Sequence, residues 1–159
     1  MSVLIAYYPL GEIIKVAKKF EELFKKNDVK VILYDTNVDK KICLKKQFKK
    51  EKQLSLEKEI PSLKNVDLIL IGTPIISFTS VPAINIFIRS LPNLNNKKIV
   101  LFATGIGLPG NAIKKMSSLL SMKNANVIDS QVFFSIFEFD SKKMLEIENF
   151  FNKFYSNYK

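Results

Sequence analysis

Apolar residues in this chain fall into five near-continuous runs: Val3–Tyr7, Val29–Tyr34, Val66–Ile71, Ile99–Thr104 and Val127–Phe134. Runs of that length without polar alternation predict parallel strands covered on both faces. Between the runs the period becomes helical. Ile13, Ala17, Phe20 and Phe24 recur at i, i+4, i+7 and i+11, opposite Lys15, Lys18, Lys19 and Lys26. That stripe predicts an amphipathic helix in the first gap. Met144, Ile147, Phe151 and Phe154 make a similar stripe on a final helix that Asp140 or Ser141 can cap. Val81–Leu91 and Asn111–Met122 predict two further helices.

Strands alternating with helices predict a doubly wound α/β fold, a five-stranded parallel sheet of order 2-1-3-4-5. The expectation is one domain over residues 1–159, with no internal repeat and no linker. In this topology a ligand crevice opens beyond the carboxyl ends of strands one, three and four. The segments leaving those ends are Tyr8–Ile13, Gly72–Ser80 and Gly105–Asn111. The least regular stretch is Asp39–Glu59, weakly amphipathic through Ile42, Leu44 and Phe48 and crowded with lysines. It reads either as a solvated second crossover helix or as a docking patch for an acidic partner.

Composition removes several kinds of chemistry. The chain has 159 residues, 47% hydrophobic and 25% charged, the balance of a folded domain of ordinary size. Val66–Ile76 and Ile99–Pro109 are too short or too interrupted to span a membrane, and no basic leader precedes the first strand. The lone Cys43 rules out an internal disulfide, and a cytoplasmic location is expected. Without histidine there is no Ser-His-Asp or Cys-His catalysis and no His-ligated metal. One cysteine does not hold an iron–sulfur cluster. The net charge of +10 raises nucleic-acid binding as a function. All but one of the 25 basic residues are lysine, whereas phosphate clamps favour arginine, so a solvated lysine surface is the preferred account. Nucleic-acid binding stays as the weakest reading and would show as a steep salt dependence.

The turn Tyr8-Pro9-Leu10-Gly11-Glu12-Ile13 joins a strand to a helix, the architecture of an anion cradle. Its chemistry is poor for an anion. Pro9 has no N–H, the only hydroxyl is the Tyr8 phenol, and Glu12 puts a negative charge at the helix start. Gly105, Gly107 and Gly110 spell a dinucleotide fingerprint, but after the fourth strand and with Pro109 distorting the turn. Asn111 stands where a Walker A motif needs lysine. A phospho-receiver would need acidic residues where Tyr7-Tyr8 and Gly72 stand.

Over nearly its full length the chain resembles the flavodoxin family. The segment Val66-Asp67-Leu68-Ile69-Leu70-Ile71-Gly72-Thr73-Pro74 resembles the family's third strand and the start of its flavin-flanking loop. Val81-Pro82-Ala83 through Phe87-Ile88 matches the following helix, Lys97 through Gly105 the fourth strand and its glycine loop, and Asn126 through Phe133 the fifth strand. The resemblance implies non-covalent flavin mononucleotide (FMN) and electron transfer or small flavin reductase activity; no general acid or base stands out in the three segments except Glu12, whose preferred role is that of a partner for the helix dipole. The resemblance places the cofactor on Tyr8, Pro9, Leu10, Gly11, Glu12 and Ile13, on Thr73, Pro74, Ile76 and Phe78, and on Thr104, Gly105 and Gly107.

The family's phosphate turn commonly reads Ser-x-Thr-Gly-Asn-Thr. Here Tyr8, Leu10, Glu12 and Ile13 replace its serine, first threonine, asparagine and second threonine, and only Gly11 is kept. Losing three side-chain donors costs a phosphate on the order of 4–8 kcal/mol. Ile76 stands where many relatives carry tryptophan, and Phe78 is either a ring to stack on the flavin or a core phenylalanine. The expected function is FMN-dependent electron transfer with weak or altered FMN binding. Its acidic redox partner would dock on Lys40, Lys41, Lys45, Lys46, Lys49 and Lys50. The alternative is an FMN-free binding or assembly module, such as a subunit of a larger complex; the tail Phe150, Phe151, Phe154, Tyr155 and Tyr158 reads either as its interface or as the closure of the core.

Overall fold

The apolar runs form the sheet they predict. A computed structural model describes residues 1–39 and 41–159. Its strands are β1 (Ser2–Tyr7), β2 (Lys30–Asp35), β3 (Leu68–Ile76), β4 (Thr79–Ser80), β5 (Lys98–Gly105) and β6 (Asn126–Phe134). The five long strands are parallel in the order β2-β1-β3-β5-β6, the expected doubly wound order. The short β4 is an antiparallel return on the end of β3 that the sequence reading did not anticipate.

The helices are α1 (Ile13–Lys26), α2 (Leu44–Lys49), α3 (Pro82–Ser90), α4 (Ala112–Ser121) and α5 (Ser141–Tyr158). Alternate strand residues point to opposite faces, so each strand feeds two cores. Val3, Ile5, Leu68, Leu70, Val100 and Phe102 pack with α1 and α5 residues; Leu4, Ile69, Ile71, Ile99 and Leu101 pack with α3 and α4 residues. Asp140 closes the N-terminus of α5, its Oδ1 accepting from Lys143 N–H at 3.0 Å. One irregularity interrupts the last pairing: Ile99 faces Val127 and Val100 faces Asp129, which leaves Ile128 as an extra residue in β6.

The second crossover is where expectation and structure part. Only six residues become helical, followed by a single 3-10 turn at Glu51–Gln53. A segment this short and this rich in like charge gains little from helix propagation. It is held by a polar latch instead. The Glu51 carboxylate accepts from Asn85 Nδ2 and from Arg89 Nη1, both at 2.7 Å, and Asn85 Oδ1 accepts from Ser80 Oγ at 2.6 Å. Burial of Glu51 opposes its ionisation, but the hydrogen bonds from Asn85 and Arg89, with the charges of Lys115 and Arg89, outweigh it. The carboxyl therefore titrates below its usual range. Among the described residues, no helix is long and apolar enough to cross a membrane.

Candidate functional site

A cavity of about 410 Å³ opens beyond the carboxyl ends of β1, β3 and β5, the place the topology assigns to a ligand. The size falls in the range of small-molecule sites. Four chain segments meet there: Leu10–Glu12, Pro74–Ile76, Thr104–Ile106 and Ser135–Phe139.

One end is the turn after β1. Gly11 adopts φ +69°, which a glycine takes at no steric cost, and nothing lies within 4 Å of where a Cβ would point. Leu10 N–H is used locally, donating to the Tyr8 carbonyl at 2.8 Å. The N–H groups of Gly11 and Glu12 find no acceptor among the described residues. Glu12 is the N-cap residue of α1, yet its side chain does not cap that helix. It reaches across the cavity: Oε2 accepts from Phe139 N–H at 3.1 Å and lies 3.3 Å from Lys15 Nζ. Lys15 Nζ is also 3.9 Å from the exposed Glu138 carboxylate.

The other end is walled by Pro74, Ile75 and Ile76 on β3, Thr104, Gly105 and Ile106 after β5, and Ile136 and Phe137 after β6. The β3 side is shaped by a two-residue hairpin. Its central residues, Ser77 and Phe78, have φ of 51° and 61°, the positive values a type I′ turn requires. Neither is the glycine or asparagine that usually takes that strain. The turn is held from outside, because the Phe78 carbonyl accepts from Asn111 N–H at 2.7 Å. Gly110 makes this approach possible: its φ is +57°, and a Cβ there would lie 2.0 Å from the Phe78 oxygen. The loops after β3 and β5 are thus tied into one wall.

Of the residues the resemblance singled out, Leu10, Gly11, Glu12, Pro74, Ile76, Thr104 and Gly105 line the cavity. Tyr8, Pro9 and Gly107 lie off its wall, and Ile13 is buried in the α1 core. Thr73 is fully buried and works locally, its Oγ1 accepting from Val81 N–H at 3.1 Å and donating to the Pro74 carbonyl. Phe78 is 63% exposed at the hairpin tip and does not line the cavity. Sequence reasoning missed the whole β6–α5 segment Ser135–Phe139 and the wall residues Ile75 and Ile106. The available signal was positional: Ser135–Phe139 lies between a strand's carboxyl end and the Asp140 cap. Lys40, one of the expected docking lysines, lies outside the described residues; Lys41, Lys45, Lys46, Lys49 and Lys50 are exposed.

The ionisable groups on the cavity wall are Glu12 and Glu138. Tyr7, beneath the turn, is no proton acceptor: burial first, then the charges of Asp35 and Glu21, hold its phenol above the usual range. Among the described residues no group of histidine, cysteine and carboxylate side chains is arranged to hold a metal ion. The apolar walls suit a flat aromatic ligand. The turn fits the phosphate of FMN poorly, since Glu12 brings a carboxylate to the cavity wall and neither Leu10 nor Gly11 carries a hydroxyl.

No family model and no curated protein sequence matches this chain. Solved structures do. Oxidised flavodoxin 2 from Bacillus cereus is 16% identical, with a TM-score of 0.71 and 99% of each chain covered. Oxidised flavodoxin 1 from Bacillus cereus is 13% identical, with a TM-score of 0.71 and 98% of each chain covered. A flavoprotein from Lactobacillus acidophilus in complex with FMN is 19% identical, with a TM-score of 0.60, over 82% of this chain and 91% of its own. The chain has the flavodoxin fold.

Proposed function

We propose that this protein is a flavodoxin-like electron carrier that holds a flavin non-covalently in the cavity, with weak or altered grip on FMN. The observation that carries the reading is the convergence of four segments on one cavity of about 410 Å³, at the switch point of a fold shared with a flavoprotein in complex with FMN. A bound flavin supplies one- and two-electron redox chemistry, and the protein supplies position and environment. Pro74, Ile75, Ile76, Ile106 and Phe137 would exclude water from the ring. The tie between Phe78 and Asn111 would keep two of its walls at fixed spacing.

The acidic partner expected from the sequence would dock beside this site. A second groove, of about 380 Å³, runs between α2 and the hairpin and is lined by Leu44, Lys45, Phe48, Lys49, Ile76 and Ser77. Ile76 belongs to both hollows, so the groove beside the lysine-bearing helix adjoins the cavity. A partner seated on those lysines would meet the edge of the bound ring, and the positive charge would speed its approach.

The test is the colour of the purified protein and the fluorescence of added flavin. Flavin absorption in the visible, or quenching of riboflavin or FMN fluorescence on titration, is the expected result. A colourless protein that leaves both fluorescences unchanged at millimolar flavin removes the reading. In that event the flavin-free assembly module takes its place. The observation favouring that alternative is the group of exposed apolar side chains on the cavity wall, Leu10, Ile106, Ile136 and Phe137, a pattern of protein-binding patches; the aromatic tail does not serve it, because Phe150, Phe151, Phe154 and Tyr155 are buried against α1 in the core.

A further inference from the structure

We infer that the site selects a flavin without its phosphate, taking riboflavin in preference to FMN, because Glu12 supplies the anion end of the cavity with its own fixed carboxylate. The inference rests on the flavin reading above and narrows its ligand class. Glu12 lines the cavity at the turn and is fixed from two sides, by Phe139 N–H and by Lys15. Both contacts fall on Oε2, which leaves Oε1 with its lone pairs for a ligand. A phosphate monoester carries about −1.5 to −2 charge at pH 7, so bringing it to this rim sets like charges together. Lys15 offsets part of that repulsion, but it is already shared between Glu12 and Glu138.

A polyol end meets the opposite chemistry. Its hydroxyls can donate to the Glu12 carboxylate and accept from the N–H groups of Gly11 and Glu12, which have no acceptor among the described residues. Each donor and acceptor at this end then gains a neutral partner, where a phosphate would satisfy the N–H groups and oppose the carboxylate. The open space in front of Gly11 leaves room for the chain's end. The same change that spoils an anion cradle therefore makes a hydroxyl cradle.

The experiment is a pair of fluorescence titrations of the whole protein, with riboflavin and with FMN, at low and at high ionic strength. Riboflavin is expected to bind roughly tenfold more tightly than FMN at low salt, the order of one screened like-charge contact near a surface. Raising the salt should narrow that gap, since screening weakens repulsion. In Glu12→Gln, which keeps an oxygen to accept from Phe139 N–H and removes the charge, the gap should close, with FMN affinity rising toward that of riboflavin. FMN binding as tightly as riboflavin to the wild-type protein, or more tightly, would overturn the inference and leave the flavin reading intact. Failure of both ligands to bind would overturn the two together. The wild-type comparison and its salt dependence decide the matter even where the variant does not fold.

Discussion

Two regions of this molecule are built from the same kind of side chain and do opposite work. Beneath the sheet, Phe20, Phe24, Phe102, Phe151 and Phe154 are at most 1% exposed and meet edge to face, with ring centroids of 5.2 Å for Phe20–Phe102 and 4.8 Å for Phe24–Phe151. At the rim of the cavity, Ile106, Ile136 and Phe137 are 76%, 76% and 82% exposed. Burial of a large apolar side chain is worth about 1.5–3 kcal/mol, and ring pairs add to it. The aromatic layer collects that energy on folding. The rim leaves it uncollected, available to whatever enters the cavity. An apolar residue type thus says little about role until its position relative to the strand ends is known.

The comparison breaks most easily at the layer. Phe20→Ala should lower the unfolding free energy by about 3–5 kcal/mol, read from denaturant titration. A loss below about 1 kcal/mol would mean that the layer is not the anchor of the fold. The latch of the second crossover comes next. Glu51→Gln should cost about 1–2 kcal/mol at neutral pH, since a half-buried charge-assisted partner of Asn85 and Arg89 is lost. Because folding lowers the Glu51 titration point, its contribution is complete above the usual carboxylate range and disappears as pH falls through the depressed value. Wild type and variant should therefore converge in acid; a difference that stays constant with pH would place the effect elsewhere. The smallest effect on stability belongs to the rim. Phe137→Ser should change unfolding by no more than about 0.5 kcal/mol. It should weaken flavin binding roughly tenfold, the worth of one partly buried ring. A stability loss comparable to that of Phe20→Ala would erase the distinction between the two regions.

The same distinction explains what could be read from the sequence. The strands and the four long helices were legible because burial leaves a period, as in Val66–Ile71 or the stripe from Ile13 to Phe24. The crossover helix over Asp39–Glu59 was overdrawn. Its stability comes from Glu51 meeting Asn85 and Arg89, residues 34 and 38 positions away. The hairpin after β3 was missed for a similar reason. Ser77-Phe78 carries no turn signature, and the hydrogen bond from Asn111 that holds it is tertiary. In the site, Gly11 and Glu12 announced themselves by departing from a known pattern. Ile136 and Phe137 did not, because an apolar loop residue looks like core until the sheet is assembled. The bond from Phe139 to Glu12 joins residues 127 positions apart, beyond any local reading.

The extra residue at Ile128 has a consequence for the loop it precedes. Along an uninterrupted strand, side chains of even and odd number take opposite faces, and Ile128 and Phe133 would part company. Both belong to the α1–α5 face, because the added residue exchanges the parity of everything after it. The direction in which Ser135–Phe139 leaves the sheet, and with it the delivery of the Phe139 amide to Glu12, is therefore inherited from a count of residues some ten positions upstream. Part of the address of this cavity is written in arithmetic and not in chemistry.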